Sequence, residues 1–201
     1  KYLINEIKFS IIGVCYDNED DYLSYGSFNN KENKILKNIK FEKNNLKEVD
    51  WVVGCSMLID TKNVKSLNLF DENIFLYFEE IDFCRQTKLN GGKVFSSSKL
   101  IVKHLGHKGS AATDPNYTIE TEMFRNWHWM WSSFYYHKKY SNYIFALKAM
   151  IGKFLKSFFK MIIFTIVYNK KKQTMYFARF SGLLNAFLGR KSWYRVKSLF
   201  K

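Results

Sequence analysis

The hydrophobic positions along the chain change period three times, and each change marks an element. Residues 7–16 (IKFSIIGVCY) are a run of β-branched, apolar and aromatic residues, the pattern of a buried strand. A polar turn (DNEDDYLSYGSF) leads into a second extended piece, and the Asn- and Lys-rich run from Asn29 to Lys47 reads as a solvated loop. Residues 49–60 (VDWVVGCSMLID) form a second strong strand, with Gly54 where a bulge or close backbone approach accounts for the missing side chain. From Ile74 to Leu89 the apolar residues recur at spacings of three and four, which predicts an amphipathic helix closed by Asn90-Gly91-Gly92. A short strand (Lys93 to Phe95), a serine turn and a further strand (Lys99 to His104) follow, giving a β-α-β order.

Beyond this point the period is helical throughout. Residues 118–140 carry Trp127, Trp129 and Trp131. From Leu147 to Ile162, Lys148, Lys153, Lys156 and Lys160 share one arc of the wheel and Met150, Phe154, Leu155 and Phe158 another. The cluster Lys170-Lys171-Lys172 is expected to separate this helix from a last one over residues 174–188, closed by Gly189. The charge-free run that follows the amphipathic stretch, Met161 to Asn169, is far short of the roughly 20 apolar residues a bilayer span needs.

Charge sharpens the division. The net charge is +14, yet residues 1–124 are nearly balanced, while residues 125–201 hold sixteen Lys and Arg and no carboxylate. Of 37 aromatic residues, 21 lie in that same stretch. A basic, aromatic, amphipathic tail fits an anionic membrane surface. It also fits burial against a partner or single-stranded nucleic acid, although no RRM, KH or OB signature accompanies it. The three cysteines are an odd set with no CxxC pair, which argues against a zinc ribbon or a disulfide framework and suits a reducing compartment. The first residues already follow a strand pattern, so the sequence is expected to begin inside a longer protein.

Two constellations bear chemistry. Glu79, Glu80 and Asp82 crowd the start of a helix, where carboxylates either complement the helix dipole or raise one another's pKa so that one serves as a base. His104-Leu105-Gly106-His107-Lys108-Gly109-Ser110 places two histidines three apart in a Gly-rich loop, which suits either a metal or a phosphate, or else is simply surface.

Taken in order, Gly54, Phe70-Asp71-Glu72, Phe75 with Tyr77, Glu79-Glu80-Ile81-Asp82-Phe83 with Arg85, Gly91 or Gly92, and His104 with Ser110 resemble the second half of the catalytic domain of bacterial family 2 glycosyltransferases, notably rhamnosyltransferase-like and galactofuranosyltransferase-like members. Arg125-Asn126 resembles the family's following "RN" helix, and the likeness covers about residues 45–140. It implies an α/β fold: a partial GT-A (Rossmann-like, mixed sheet) domain over residues 1–117, followed by a C-terminal helical region over 118–201. It implies inverting transfer of a rhamnose- or galactofuranose-like sugar from a nucleotide-sugar donor to a hydroxyl of a cell-surface polysaccharide or lipid-linked glycan acceptor. In that scheme Glu80 is the general base, and Glu79, Asp82, Trp51 and Gly54 lie on the acceptor side. His104 holds Mg2+ or Mn2+, and His107, Lys108 and Ser110 meet the donor diphosphate. The family has Asp where this chain has Glu80, and its Asp-x-Asp motif is expected upstream of Lys1. On that reading the chain alone is inactive, and the protein works peripherally on the cytoplasmic face of the bacterial inner membrane. The competing class is a membrane- or nucleic-acid-associated binding module whose carboxylates merely cap a helix.

Overall fold

The computed structural model describes residues 8–16, 25–28, 46–64, 69–102 and 117–195. It is a mixed α/β structure that divides into two compact units. One comprises residues 1–71 with 79–106, the other residues 72–78 with 107–201.

In the α/β unit a four-stranded sheet runs β3 (Leu46–Glu48), β6 (Val94–Val102), β1 (Ile11–Tyr16), β5 (Met57–Ile59). The central β1–β6 pair is parallel and both outer pairs are antiparallel. A separate two-stranded ribbon joins β2 (Tyr25–Gly26) to β4 (Trp51–Val52). Parallel pairing needs a crossover, and α1 (Glu79–Leu89) stands directly before β6 in the chain, as the sequence order requires. Ile11, Val52, Phe83, Cys84 and Val94 are all but sealed from water and form the core between helix and strands. A fully buried Phe such as Phe83 contributes about 2–3 kcal/mol by area.

Several boundaries differ from the sequence expectation for identifiable reasons. The expected strand over 49–60 is broken by a turn at Gly54-Cys55 into β4 and β5, which belong to different sheets. The two expected strands after Gly92 are one, β6. Val14 pairs with Ser97 and Cys15 with Ile101, so the serine turn is a bulge that leaves the ladder continuous. The loop expected up to Lys47 ends in an edge strand, because Leu46 is buried with Phe9 and Ile12. The helix begins at Glu79, not Ile74. Tyr77 and Phe78 have φ of 64° and 74°, left-handed values no helix can contain. Its C-terminus follows expectation: Gly91 takes φ 76°, where a Cβ costs about 1–2 kcal/mol.

The helical unit consists of α2 (Tyr117–Tyr140), α3 (Tyr143–Ile166) and α4 (Lys170–Phe187). Trp127, Met130, Trp131 and Phe134 from α2 meet Ala146 and Met150 from α3 and Ala178, Leu183 and Ala186 from α4. Asn142 caps α3 by accepting from the Phe145 amide at 2.8 Å. Asn169 caps α4 from the Lys172 amide at 3.1 Å. The lysine cluster therefore opens the last helix and does not interrupt the chain between helices; the break is Val167 to Asn169, with Tyr168 at φ 52°. Segment 72–78, expected with the α/β half, groups with the helices, where Ser132 donates to the Leu76 carbonyl at 2.8 Å.

The apolar arc of α3 is split. Ala146 and Met150 are buried, with Leu147 and Phe154 packed beside them in the core of the helical unit. Ile144, Ile151, Leu155, Phe159, Ile162 and Ile166, on the adjoining arc, are 39–69% exposed. No helix among the described residues is long and apolar enough to cross a membrane.

Candidate functional site

The site is built at the head of α1. Its first turn carries Glu79, Glu80 and Asp82, and the positive end of the helix dipole favours carboxylates there. Lys88, in the last turn, bonds the Asp50 carboxylate at 2.6 Å and the Val49 carbonyl at 3.2 Å, which ties the far end of the helix to the strand region. Asp50 also accepts from the Ser27 hydroxyl at 2.7 Å and the Phe28 amide at 2.9 Å. Burial opposes its charge, but these bonds outweigh it and hold its pKa below the ordinary carboxylate value.

Glu80 is the exceptional group. It is partly buried as a residue, yet one carboxylate oxygen is cut off from solvent and has no hydrogen-bond partner among the described residues. Loss of hydration, reinforced by the Glu79 charge, lifts its pKa to about 7. Glu79 likewise has one sealed, unpartnered oxygen, and burial raises its pKa as well. Such an oxygen costs about 1–3 kcal/mol, so a fold that keeps two of them side by side carries an unmet demand for a proton or a donor.

Gly54 explains how Glu80 fits. A Cβ on Gly54 would lie 3.2 Å from Glu80 Cβ and within 3.8 Å of its carboxyl carbon, so the bare turn leaves room for the Glu80 side chain. Asp82 behaves differently. It is fully buried and accepts from Gln86 Nε2 at 2.5 Å. Trp51 lies over Gly26, where a Cβ would be 2.2 Å from its ring, and donates Nε1–H to the Ser27 carbonyl at 3.4 Å. Its ring covers the β2–β4 ribbon at Gly26. Cys84 is sealed and its thiol is pushed up to about 12, so it is not a nucleophile.

His104, His107, Lys108 and Ser110 lie outside the described residues. Among the described residues no three His, Cys, Asp or Glu side chains gather in a way that would hold a metal ion. The structure thus brings Glu79, Glu80 and Gly54 together and turns Asp82 inward.

One titratable group in the helical unit gave no sequence signal. His128 is fully buried against Phe75, Phe124 and Trp127. Its Nε2 lies 2.9 Å from the Tyr194 carbonyl, which can only accept, so Nε2 carries the proton and Nδ1 accepts from the Ser192 hydroxyl at 3.1 Å. Desolvation lowers its pKa to about 4 and keeps the ring neutral. Saturated on both nitrogens, it is a packing residue.

No family model, curated protein or solved structure matches this chain.

Proposed function

We propose that this chain carries the acceptor side of a family 2, GT-A-type inverting glycosyltransferase, and that Glu80 is the general base. The observation that carries the reading is the Glu80 carboxylate, which has a sealed, unpartnered oxygen and a pKa of about 7 beside the gap left by Gly54. A base works best when its pKa lies near the working pH, because it is then both ionised and basic enough to take a proton. Glu80 accepts the proton of an acceptor hydroxyl as that oxygen bonds to the anomeric carbon from the face opposite the leaving group. The anomeric C–O bond to the diphosphate breaks, and the electron pair leaves with the nucleoside diphosphate. Glu79 tunes the base: its charge holds the Glu80 proton affinity up.

The cation that the resemblance implies, Mg2+ or Mn2+, would neutralise charge on the departing diphosphate. His104, outside the described residues, is its proposed ligand, and no step above passes through it. His107, Lys108 and Ser110 remain the proposed diphosphate contacts. The acceptor is a glycan or lipid-linked glycan.

We also propose that α3 rests on anionic lipid at the cytoplasmic face of the inner membrane. Its exposed strip of Ile144, Ile151, Leu155, Phe159, Ile162 and Ile166 is apolar. Lys148, Lys153, Lys156 and Lys160 interleave with and border it, and Lys170 to Lys172 stand at its end. Each Lys near an anionic surface contributes about 1 kcal/mol. Phosphatidylglycerol vesicles should sediment the protein and phosphatidylcholine vesicles should not; equal recovery with both refutes the electrostatic half of the reading.

The deciding experiment measures release of nucleoside diphosphate from a panel of nucleotide-sugars by the longest natural form of the protein, with Mg2+ or Mn2+ and vesicles present. Turnover that Glu80→Gln abolishes while the fold is kept is the expected result. A folded protein that turns over no donor favours the binding module instead.

A further inference from the structure

A concavity lies wholly within the helical unit. Its volume is about 380 Å³, in the range of small-ligand clefts. It is lined by Tyr77, Glu122, Arg125, Asn126, Trp129 and Arg179. Four of these fall at 122, 125, 126 and 129 on α2, spacings of three and four that put them on one helix face. Arg179 arrives from α4.

The polar groups are held in place before any ligand arrives. Arg179 donates Nε–H to Asn126 Oδ1 at 2.6 Å, and the Asn126 amide donates back along α2 to the Glu122 carbonyl at 2.7 Å. Arg125 donates Nε–H to the Tyr77 hydroxyl at 2.8 Å. Arg179, oriented through Nε, presents its terminal amines, the fork that grips an oxyanion on two points. Glu122 is the only carboxylate of the lining, and its Oε2 accepts from Asn126 Nδ2 at 3.4 Å. Trp129 stands edge-on to Tyr77 at 5.1 Å and is 46% exposed. A lone exposed Trp is ordinary. This one shares a concavity with two arginines, an amide and a carboxylate. Tyr77, whose hydroxyl orients Arg125, has the left-handed backbone that costs of order 1 kcal/mol in a non-glycine residue, and so does Phe78. That strain is spent at the edge of the cleft.

We propose that this cleft is a binding site for an anionic saccharide: the sugar ring stacks on Trp129, Arg179 takes its phosphate or carboxylate, and Glu122 and Asn126 take ring hydroxyls. An aromatic face suits the C–H face of a pyranose, a carboxylate and an amide suit hydroxyls, and a forked cation suits the oxyanion. The site is independent of the Glu80 chemistry and stands or falls without it.

Calorimetric titration of the full chain tests it with four probes: glucose 1-phosphate, glucuronate, glucose and inorganic phosphate. Either charged sugar should bind at least about tenfold more tightly than glucose or phosphate, and the stronger of the two tells phosphate from carboxylate recognition. Arg179→Gln should weaken the charged sugar about tenfold and leave glucose unchanged, with Arg179→Lys between them. Trp129→Ala, at an exposed position, should weaken both sugars and leave phosphate unchanged. The proposal is overturned if neither charged sugar binds, if inorganic phosphate matches glucose 1-phosphate, or if Arg179→Gln binds as the wild type while its circular dichroism and urea midpoint are also unchanged.

Discussion

Replacing Glu80 with Gln removes an ionisable group whose charge the fold resists, so the variant tests the site through stability without any substrate. The pKa rises from 4.5 to about 7, and at about 1.4 kcal/mol per tenfold change this corresponds to about 3 kcal/mol. Because the residue keeps some water contact, about 1–2 kcal/mol is the working figure. The folded value lies above the unfolded one, so this contribution is fully present below pH 4.5 and is lost as pH rises to about 7. Gln does not titrate. The variant should therefore gain about 1–2 kcal/mol over wild type between about pH 4.5 and pH 8, which is about 2–8 °C in Tm for a chain of this size. Urea denaturation of both proteins at the two pH values, followed by circular dichroism, measures it. An advantage that is the same at both pH values, or a loss at pH 8, refutes the claim that Glu80 is held against ionisation.

His128 acts in the opposite direction over nearly the same range. Its folded pKa is about 4 against an ordinary 6.5, so wild type should lose up to about 3 kcal/mol as pH falls between those values. His128→Phe should abolish that slope in urea denaturation, and a slope that persists in the variant removes His128 as its cause. Glu79→Gln should lower the pH at which turnover rises to half its plateau, since the Glu79 charge raises the Glu80 pKa; an unmoved midpoint in the pH–rate profile argues against Glu80 as the base. Gly182→Ala places a Cβ 2.5 Å from the Trp127 carbonyl oxygen and should cost about 2–3 kcal/mol in the helical unit, read from its urea midpoint. A neutral result there would mean that α2 and α4 separate at little cost.

Sequence periodicity alone established the β-α-β order, the three long C-terminal helices, the helix stop at Gly91 and the crowding of Glu79, Glu80 and Asp82. These depend on neighbours within a turn or a strand, and local sequence dictates them. What lay beyond its reach depends on contacts between distant segments. Asp82 and Glu80 are two residues apart and look alike on paper, yet Gln86 and the core claim one while the gap at Gly54 receives the other. The apolar arc of α3 reads as a single stripe, and only packing against α2 and α4 divides it into a buried and an exposed half. Ile74 to Phe78 keep helical spacing but are not helical, because Tyr77 and Phe78 adopt left-handed backbone where the Tyr77 hydroxyl meets Arg125 and the Phe78 ring packs on Trp129. The cleft joins Arg179 to residues some fifty positions earlier, a juxtaposition that exists only once α4 has packed on α2. A pKa, too, is a property of surroundings: the sequence supplies the carboxylate, and tertiary burial decides at what pH it holds its proton.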